Sequence, residues 1–299
     1  MKIFITGGSG FVGADLSRYL LKEGHGVIAA GRSSSHKLAG HENFQYISAD
    51  TTQKGDWQNS LDKVDAAVNL AGRNILRLWT DSYKTQIYDS RILTTRNLVE
   101  AMPDNKGITL CSASAAGYYG NRDDEILKED ARPCDDFLAK VCIDWEKEAF
   151  RAKAKGIRVV AMRFGVVLGK KGGALKKMLP AFKFFAGGPM GNGKHWFPWI
   201  HMDDLISAIL FILQNREIKG PVNFCAPEPV RNMDFVKTLG NVLSRPSFMP
   251  APAFMIRLIM GELGASLLNS QRLIPDKLTR YNFKFQYPDV NSALSDILK

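Results

Sequence analysis

Thr6-Gly7-Gly8-Ser9-Gly10-Phe11-Val12-Gly13 decides the fold of this 299-residue chain. Ahead of it, Lys2–Thr6 reads as a short buried strand. Behind it, Ala14–Lys22 sets Leu16, Tyr19 and Leu20 on one helical face. Glycines at 7, 10 and 13 between a strand and a helix form a dinucleotide-binding turn. Gly7 permits the tight turn, Gly10 lets backbone approach a pyrophosphate, and Gly13 lets helix and strand pack closely. The pyrophosphate rests at the helix N-terminus, by Gly10, Phe11, Val12 and Gly13, where unpaired N–H groups and the dipole favour negative charge. A glycine-rich turn without ligand is the competing reading, and the flanking elements weigh against it.

The same alternation continues outward. Val27–Ala30, Phe44–Ser48, Ala66–Leu70, Ile108–Ser112 and Arg158–Phe164 read as strands. Ile92–Met102 and Phe137–Ala154 read as helices, the second with Asp135 and Asp136 as N-cap candidates. This order predicts an α/β fold, a Rossmann doubly wound parallel sheet. After Gly169 the pattern changes. Gly169–Pro198 is rich in Gly and Lys, without strand alternation until Trp196. Helices follow over Leu205–Gln214, with Asp203 as the expected cap, and over Met233–Leu243, and Val222–Cys225 is a short strand. Phe254–Met260, interrupted by Arg257, reads as a core helix in preference to a peripheral amphipathic contact. The expected organisation is a cofactor-binding domain over 1–168 and 199–226, with a smaller, sequence-interleaved C-terminal substrate lobe over 169–198 and 227–299.

The end of the second strand selects the cofactor. An NAD site places Asp or Glu there for the ribose 2′-hydroxyl. This chain has Gly31-Arg32-Ser33 instead. Arg32 suits a 2′-phosphate and Ser33 can donate to it, so NADP is favoured over NAD. Asp50, after the third strand, suits the adenine amino group, or else caps a turn.

Forty Lys and Arg stand against 30 Asp and Glu, a net charge of +10. Residues 151–200 hold eleven of the basic residues and no acidic ones, so the excess is regional. It points to an anionic small-molecule site more than to nucleic acid. Cys111, Cys134, Cys142 and Cys225 lack metal-ligand spacing and suit a reduced, cytoplasmic protein, with no metal expected. Lys2 leads straight into the first strand, so no leader peptide is expected, and no apolar run is long enough to span a bilayer. A monomer or homodimer without membrane contact is the expectation.

These residues resemble the extended short-chain dehydrogenase/reductase superfamily along the whole chain. Asn69-Leu70-Ala71-Gly72 is similar to its fourth-strand motif beside the cofactor. Ser112-Ala113-Ser114 with Tyr118-Tyr119-Gly120 is similar to its fifth-strand serine motif, and Trp199–Asp204 to its returning segment. More narrowly, Ser112–Gly120, Asp136–Glu146, Arg163–Leu175, Trp196–Asp204 and Ser270–Pro275 resemble an atypical, NADP-binding group labelled epimerase family, or sugar-nucleotide epimerase-like. The resemblance implies that Leu70, Ala71, Gly72, Arg91 and Ser112 lie beside the cofactor. It supplies no substrate. Arg163, ending the sixth strand, is expected near the nicotinamide by the rule that ligands sit outside strand C-termini.

The superfamily's usual chemistry needs Tyr and Lys four apart on one helix face. Here Lys140 follows Asp136. Aligning Glu146 instead puts Leu138 and Cys142 at those positions, so neither register keeps the pair. Ser114, Tyr118 (or Tyr119) and Lys140 are the replacement candidates. Each has a plain structural reading beside it: a strand-end bond, loop packing and a surface lysine. The leading expectation is an NADP-binding oxidoreductase or epimerase-like enzyme on an unknown small molecule. A non-catalytic NADP sensor or scaffold is the alternative, and RNA binding through residues 151–200 a weaker one.

Overall fold

A computed structural model describes all residues, 1–299. Its centre is a seven-stranded, all-parallel sheet: β1 (Lys2–Thr6), β2 (Gly26–Gly31), β3 (Phe44–Ser48), β4 (Ala66–Asn69), β5 (Thr109–Ala115), β6 (Arg158–Phe164) and β7 (Gly220–Phe224). They lie side by side in the order β7-β6-β5-β4-β1-β2-β3. The order reverses between β4 and β1, and the glycine turn leaves β1 at that crevice, where ligands of such sheets bind.

Both faces of the sheet are covered, which is why its strands read as unbroken apolar runs. Ile3, Ile5, Val27, Ala29 and Val68 point to one side, against Leu16 and Leu20 of α1 (Phe11–Lys22) and the apolar helix α5 (Met202–Gln214). Phe4, Ile28, Ala30, Ala67 and Leu110 point to the other. They meet Leu98 and Val99 of α2 (Asp81–Ala101) and Ala149 of α3 (Phe137–Phe150). Strand alternation thus divides one apolar sequence between two cores.

A third core joins Leu168, Leu175, Phe182, Trp199, Phe235, Leu239 and Leu294. It binds α4 (Gly173–Lys183), α6 (Asn232–Leu243) and α9 (Val290–Leu298) to the short parallel pair Val166–Leu168 and Trp199–His201. Between α6 and α9 lie α7 (Ala253–Leu267) and the five-residue α8 (Asp276–Arg280).

Several expectations are corrected. Helix α2 starts eleven residues before Ile92, because its first turns are polar and largely exposed and carry no apolar period. Its N-cap Thr80 accepts the Tyr83 N–H. Helix α4 lies within the segment read as patternless, hidden by a glycine start and an internal Pro180. Helix α3 ends at Phe150 and passes into a 3-10 turn over Arg151–Lys155, and Asp136 is its cap. Helix α5 is capped by His201, not Asp203: the imidazole Nδ1 accepts the Asp203 N–H at 3.1 Å. The Phe254–Met260 stretch is not a core helix, since four of its large apolar side chains stand exposed.

Candidate functional site

Two polar rows cross the C-terminal edge of the sheet. In the first, Thr6 stands beside Asn69 and Asn69 beside Ser112. In the second, Ser114 stands beside Arg163 and Arg163 beside Asn223.

The first row lies against the glycine turn. Thr6 Oγ1 donates to Asn69 Oδ1 at 2.6 Å and accepts the N–H groups of Leu70 and Ala71, each at 3.2 Å. Asn69 Nδ2 donates to Thr95 Oγ1 (2.8 Å) and Ser112 Oγ (3.1 Å). Trp145 Nε1 also donates to Thr95 Oγ1, at 2.8 Å. This buried network fixes Leu70 and Ala71 beside Gly7. With φ at +68°, Gly7 leaves no room for a Cβ, which would stand 2.9 Å from the Ala71 nitrogen. A Cβ on Gly13 would stand 2.3 Å from the Gly7 oxygen, so helix and turn touch backbone to backbone. Gly10 caps α1 without any side-chain bond, and no acidic residue sits in the first turn. The leading N–H groups of α1 are left for an anion. Gly169, Gly172 and Gly173 lie on the Phe11 ring, bringing the glycine-lysine segment to the same helix end.

At the end of β2, Arg32 and Ser33 are exposed, and no carboxylate pairs with Arg32. Ser33 Oγ donates to Ser9 Oγ at 3.2 Å, linking this strand end to the glycine turn. Asp50 Oδ1 accepts from the Thr52 N–H (3.0 Å) and hydroxyl (2.7 Å), the turn-capping arrangement. Arg91 reaches from α2 to Gly72, where an added Cβ would meet its guanidinium carbon at 3.1 Å. It donates to the carbonyls of Ile87 (2.9 Å) and Arg73 (3.1 Å) and lies 5.1 Å from the centre of the Trp145 ring. It has no carboxylate partner, and burial pulls its pKa down to about 10.

The second row is a closed knot. Arg163 Nε and Nη2 donate to the two oxygens of Glu146 at 2.8 and 2.9 Å. Its Nη1 donates to the Tyr119 hydroxyl (2.8 Å) and the Glu129 carbonyl (3.1 Å). The Tyr118 ring covers the guanidinium at 3.5 Å. Burial opposes the Arg163 charge, but Glu146 and Tyr119 outweigh it and raise its pKa. Burial also raises the Tyr119 pKa, so that hydroxyl stays protonated and donates to Asn223 Oδ1 at 2.7 Å.

This knot corrects two expectations. Arg163, expected near the nicotinamide, is instead buried with its donors turned to Glu146, Tyr119 and the Glu129 carbonyl. Ser114 does not present its proton to a carbonyl, because Oγ donates to Glu146 Oε1 at 2.7 Å. Lys140 is the third correction. It is exposed, whereas Ala139, Cys142, Trp145, Glu146 and Ala149 form the buried face of α3. Leu138 and Cys142 are the α3 residues beneath Gly117. The register that aligns Glu146, and with it Leu138 and Cys142, is therefore the one whose residues face the sheet and Gly117. Burial pushes the Cys142 thiol up to about 11, so it stays protonated. Tyr118 alone among the catalytic candidates keeps a hydroxyl with no protein partner.

Sequence reasoning named Thr6 and Asn69 only as members of motifs and did not foresee their bond, missed Thr95, and did not foresee the Glu146–Arg163 pair. The available signal was polar residues at the ends of apolar strands and a glutamate on an otherwise apolar helix face. His201, Asp203 and Asp296 also converge. His201 Nδ1 is the acceptor, so Nε2 carries the proton that faces Asp296 at 3.4 Å and has no lone pair for a metal.

Residues 3–225 match the model of the NAD dependent epimerase/dehydratase family, and residues 251–297 match a domain of unknown function, DUF1731. The chain is 37% identical to the chloroplastic "Epimerase family protein SDR39U1 homolog" of Arabidopsis thaliana, covering 100% of this chain and 87% of that one. It is also 37% identical to epimerase family protein YfhF of Bacillus subtilis, covering 100% and 98%. The crystal structure of human epimerase family protein SDR39U1 with NADPH superposes with a TM-score of 0.87 at 30% identity, over 99% of both chains. No helix is long and apolar enough to cross a membrane. The glycine turn, the strand order and these end-to-end matches agree: the chain belongs to the NAD-dependent epimerase/dehydratase family and has its NAD(P)-binding fold.

Proposed function

We propose that the protein binds NADP(H) and acts as an oxidoreductase or epimerase-like enzyme on a small anionic molecule. The observation that carries the cofactor choice is the end of β2, where Arg32 is exposed and unpaired and Ser33 is bonded to the turn. The human relative solved with NADPH supports the same choice. The glycine cradle, where Cβ atoms on Gly7 and Gly13 would strike backbone, fits a pyrophosphate. When bound, the nicotinamide supplies or accepts a hydride. Tyr118 is the residue placed to hold or release a proton, its ring fixed by the Arg163 guanidinium. Arg91, a desolvated cation without a carboxylate, would bind an anionic group of cofactor or substrate. The cofactor unit spans 1–168 and 199–226, and the substrate lobe 169–198 and 227–299.

Fluorescence titration should give NADPH an affinity about tenfold to a hundredfold above NADH, the scale of one charge-assisted contact. Arg32→Asp should reverse that order. Equal affinities in the unaltered protein would end the assignment. The replacement of the tyrosine and lysine by Leu138 and Cys142 favours a second reading, a cofactor-binding sensor without turnover. Oxidation of bound NADPH by a metabolite extract, abolished by Tyr118→Phe, would exclude it.

A further inference from the structure

The regional positive charge is larger than the cofactor site uses. Residues 170–194 and 235–261 carry nine Lys and Arg and no Asp or Glu. Lys176, Lys177, Lys183, Arg245 and Arg257 are exposed, and no carboxylate pairs with any of them. The same two segments hold most of the protein's exposed large apolar side chains.

These side chains form one surface. In α7, Phe254, Met255, Leu258 and Ile259 recur at one-, four- and five-residue offsets, a single helical stripe, and all four are exposed, Leu258 at 81%. The opposite side is anchored: Ile256 is buried, and Gly264 comes so close to its carbonyl that a Cβ would stand 2.3 Å away. Gly261, at φ +56°, ends the stripe by folding the chain back, and Glu262 is tied to Lys84 at 2.6 Å. The stripe therefore cannot turn inward without undoing that anchor. Beside it, residues 184–191 and 248–253 are laced together through Met249 N–H to Gly187 O (3.1 Å) and Ala251 N–H to Pro189 O (2.9 Å). This pairing sets Phe184 (82% exposed), Phe185 and Phe248 (77% exposed) next to the start of α7. The Arg245 guanidinium lies 5.0 Å from the Phe185 ring, so cations stand among the apolar side chains.

An apolar surface this extensive, with unpaired cations among its segments and its one neighbouring carboxylate, Glu262, held by Lys84, matches the acyl–headgroup boundary of a bilayer. The apolar side chains enter the acyl boundary while lysines and arginines stay at the phosphates. We propose that this face, built on α7 and the α4–Gly191 segment, docks the protein on an anionic phospholipid surface. Charge complementarity selects that occupant: a second copy would bring the unpaired Lys176, Lys177, Lys183, Arg245 and Arg257 against their own like charges. The proposal is independent of the cofactor assignment.

The test is co-flotation of the full chain with vesicles of phosphatidylcholine alone and with vesicles enriched in phosphatidylglycerol, at low and high salt. Binding should favour the anionic vesicles by about tenfold or more and fall with salt. Leu258→Glu with Ile259→Glu should lower it at least about tenfold, as should Lys183→Glu with Arg245→Glu. Unchanged thermal melts show that the variants fold. Should the first pair fail that check, Phe184→Ser with Phe248→Ser tests the same face from the other segment. Absence of binding to either vesicle, or equal binding to both, overturns the proposal. So does self-association in ultracentrifugation that Leu258→Glu with Ile259→Glu abolishes while vesicles bind nothing.

Discussion

The two ends of this polar edge are built on opposite principles. At the nucleotide end, polar groups remain available: the first N–H groups of α1, Arg32, and the Arg91 guanidinium without a carboxylate. At the other end, Ser114, Glu146, Arg163 and Tyr119 satisfy one another, and only the Tyr118 hydroxyl is left over. An end with free donors is made to receive a ligand. An end with closed donors is made to hold its own shape.

Glu146→Ala breaks the comparison where it is strongest. Arg163 is 3% exposed, and removing its partner strands a buried guanidinium. That change should cost about 3–5 kcal/mol in denaturant unfolding, the usual loss when one member of a buried pair is removed. A loss under about 1 kcal/mol would mean that water reaches Arg163 and that the knot is open to substrate.

His201 is expected to give the intermediate effect, and it supports the nucleotide end. Gly169 sits between Phe11 and Met202, so the cap on α5 lies behind the loop that covers the glycine turn. Burial lowers the His201 pKa from 6.5, outweighing the pull of Asp203, Asp296 and Asp204. Between that lowered value and 6.5 the unfolded chain binds more protons than the folded one. Stability should therefore fall as pH drops below about 6.5, by at most about 1.4 kcal/mol per pH unit for this one proton. His201→Asn keeps an acceptor for the Asp203 N–H and removes the titration, so its acid slope should be shallower. His195, His36 and His25, whose pKa values burial also lowers, contribute to the slope that remains. Identical slopes in the two proteins would remove His201 from the argument.

The contrast between the ends also explains what could be read without a structure. Gly7, Gly10, Gly13 and Arg32 announce themselves because backbone geometry and a missing acid are local properties of sequence. Strand Arg158–Phe164 was legible as a buried apolar run, and its residue bounds are those observed. The Glu146–Arg163 pair was not legible. Its members lie seventeen residues apart on α3 and β6, and only the β5–β6 register brings Ser114 to them. Helix α4 escaped because glycine and proline usually end helices. The exposed face of α7 escaped because an apolar stripe looks the same whether it meets a core or a bilayer.

Lys140 sharpens the comparison at its quiet extreme. A helix advances about 100° per residue, so a lysine one position past buried Ala139 and two before buried Cys142 points away from the sheet. It makes no ion pair. Lys140→Ala should leave stability within about 0.5 kcal/mol and the NADPH dissociation constant within about twofold, as for any unpaired surface lysine. Both follow from the register that places Cys142 where the superfamily has its lysine. A tenfold loss of NADPH affinity in Lys140→Ala would require α3 to rotate by nearly half a turn when the cofactor binds. That rotation would tear Glu146 from Arg163, so it should be accompanied by a large change in stability on binding, and the two measurements together decide the register.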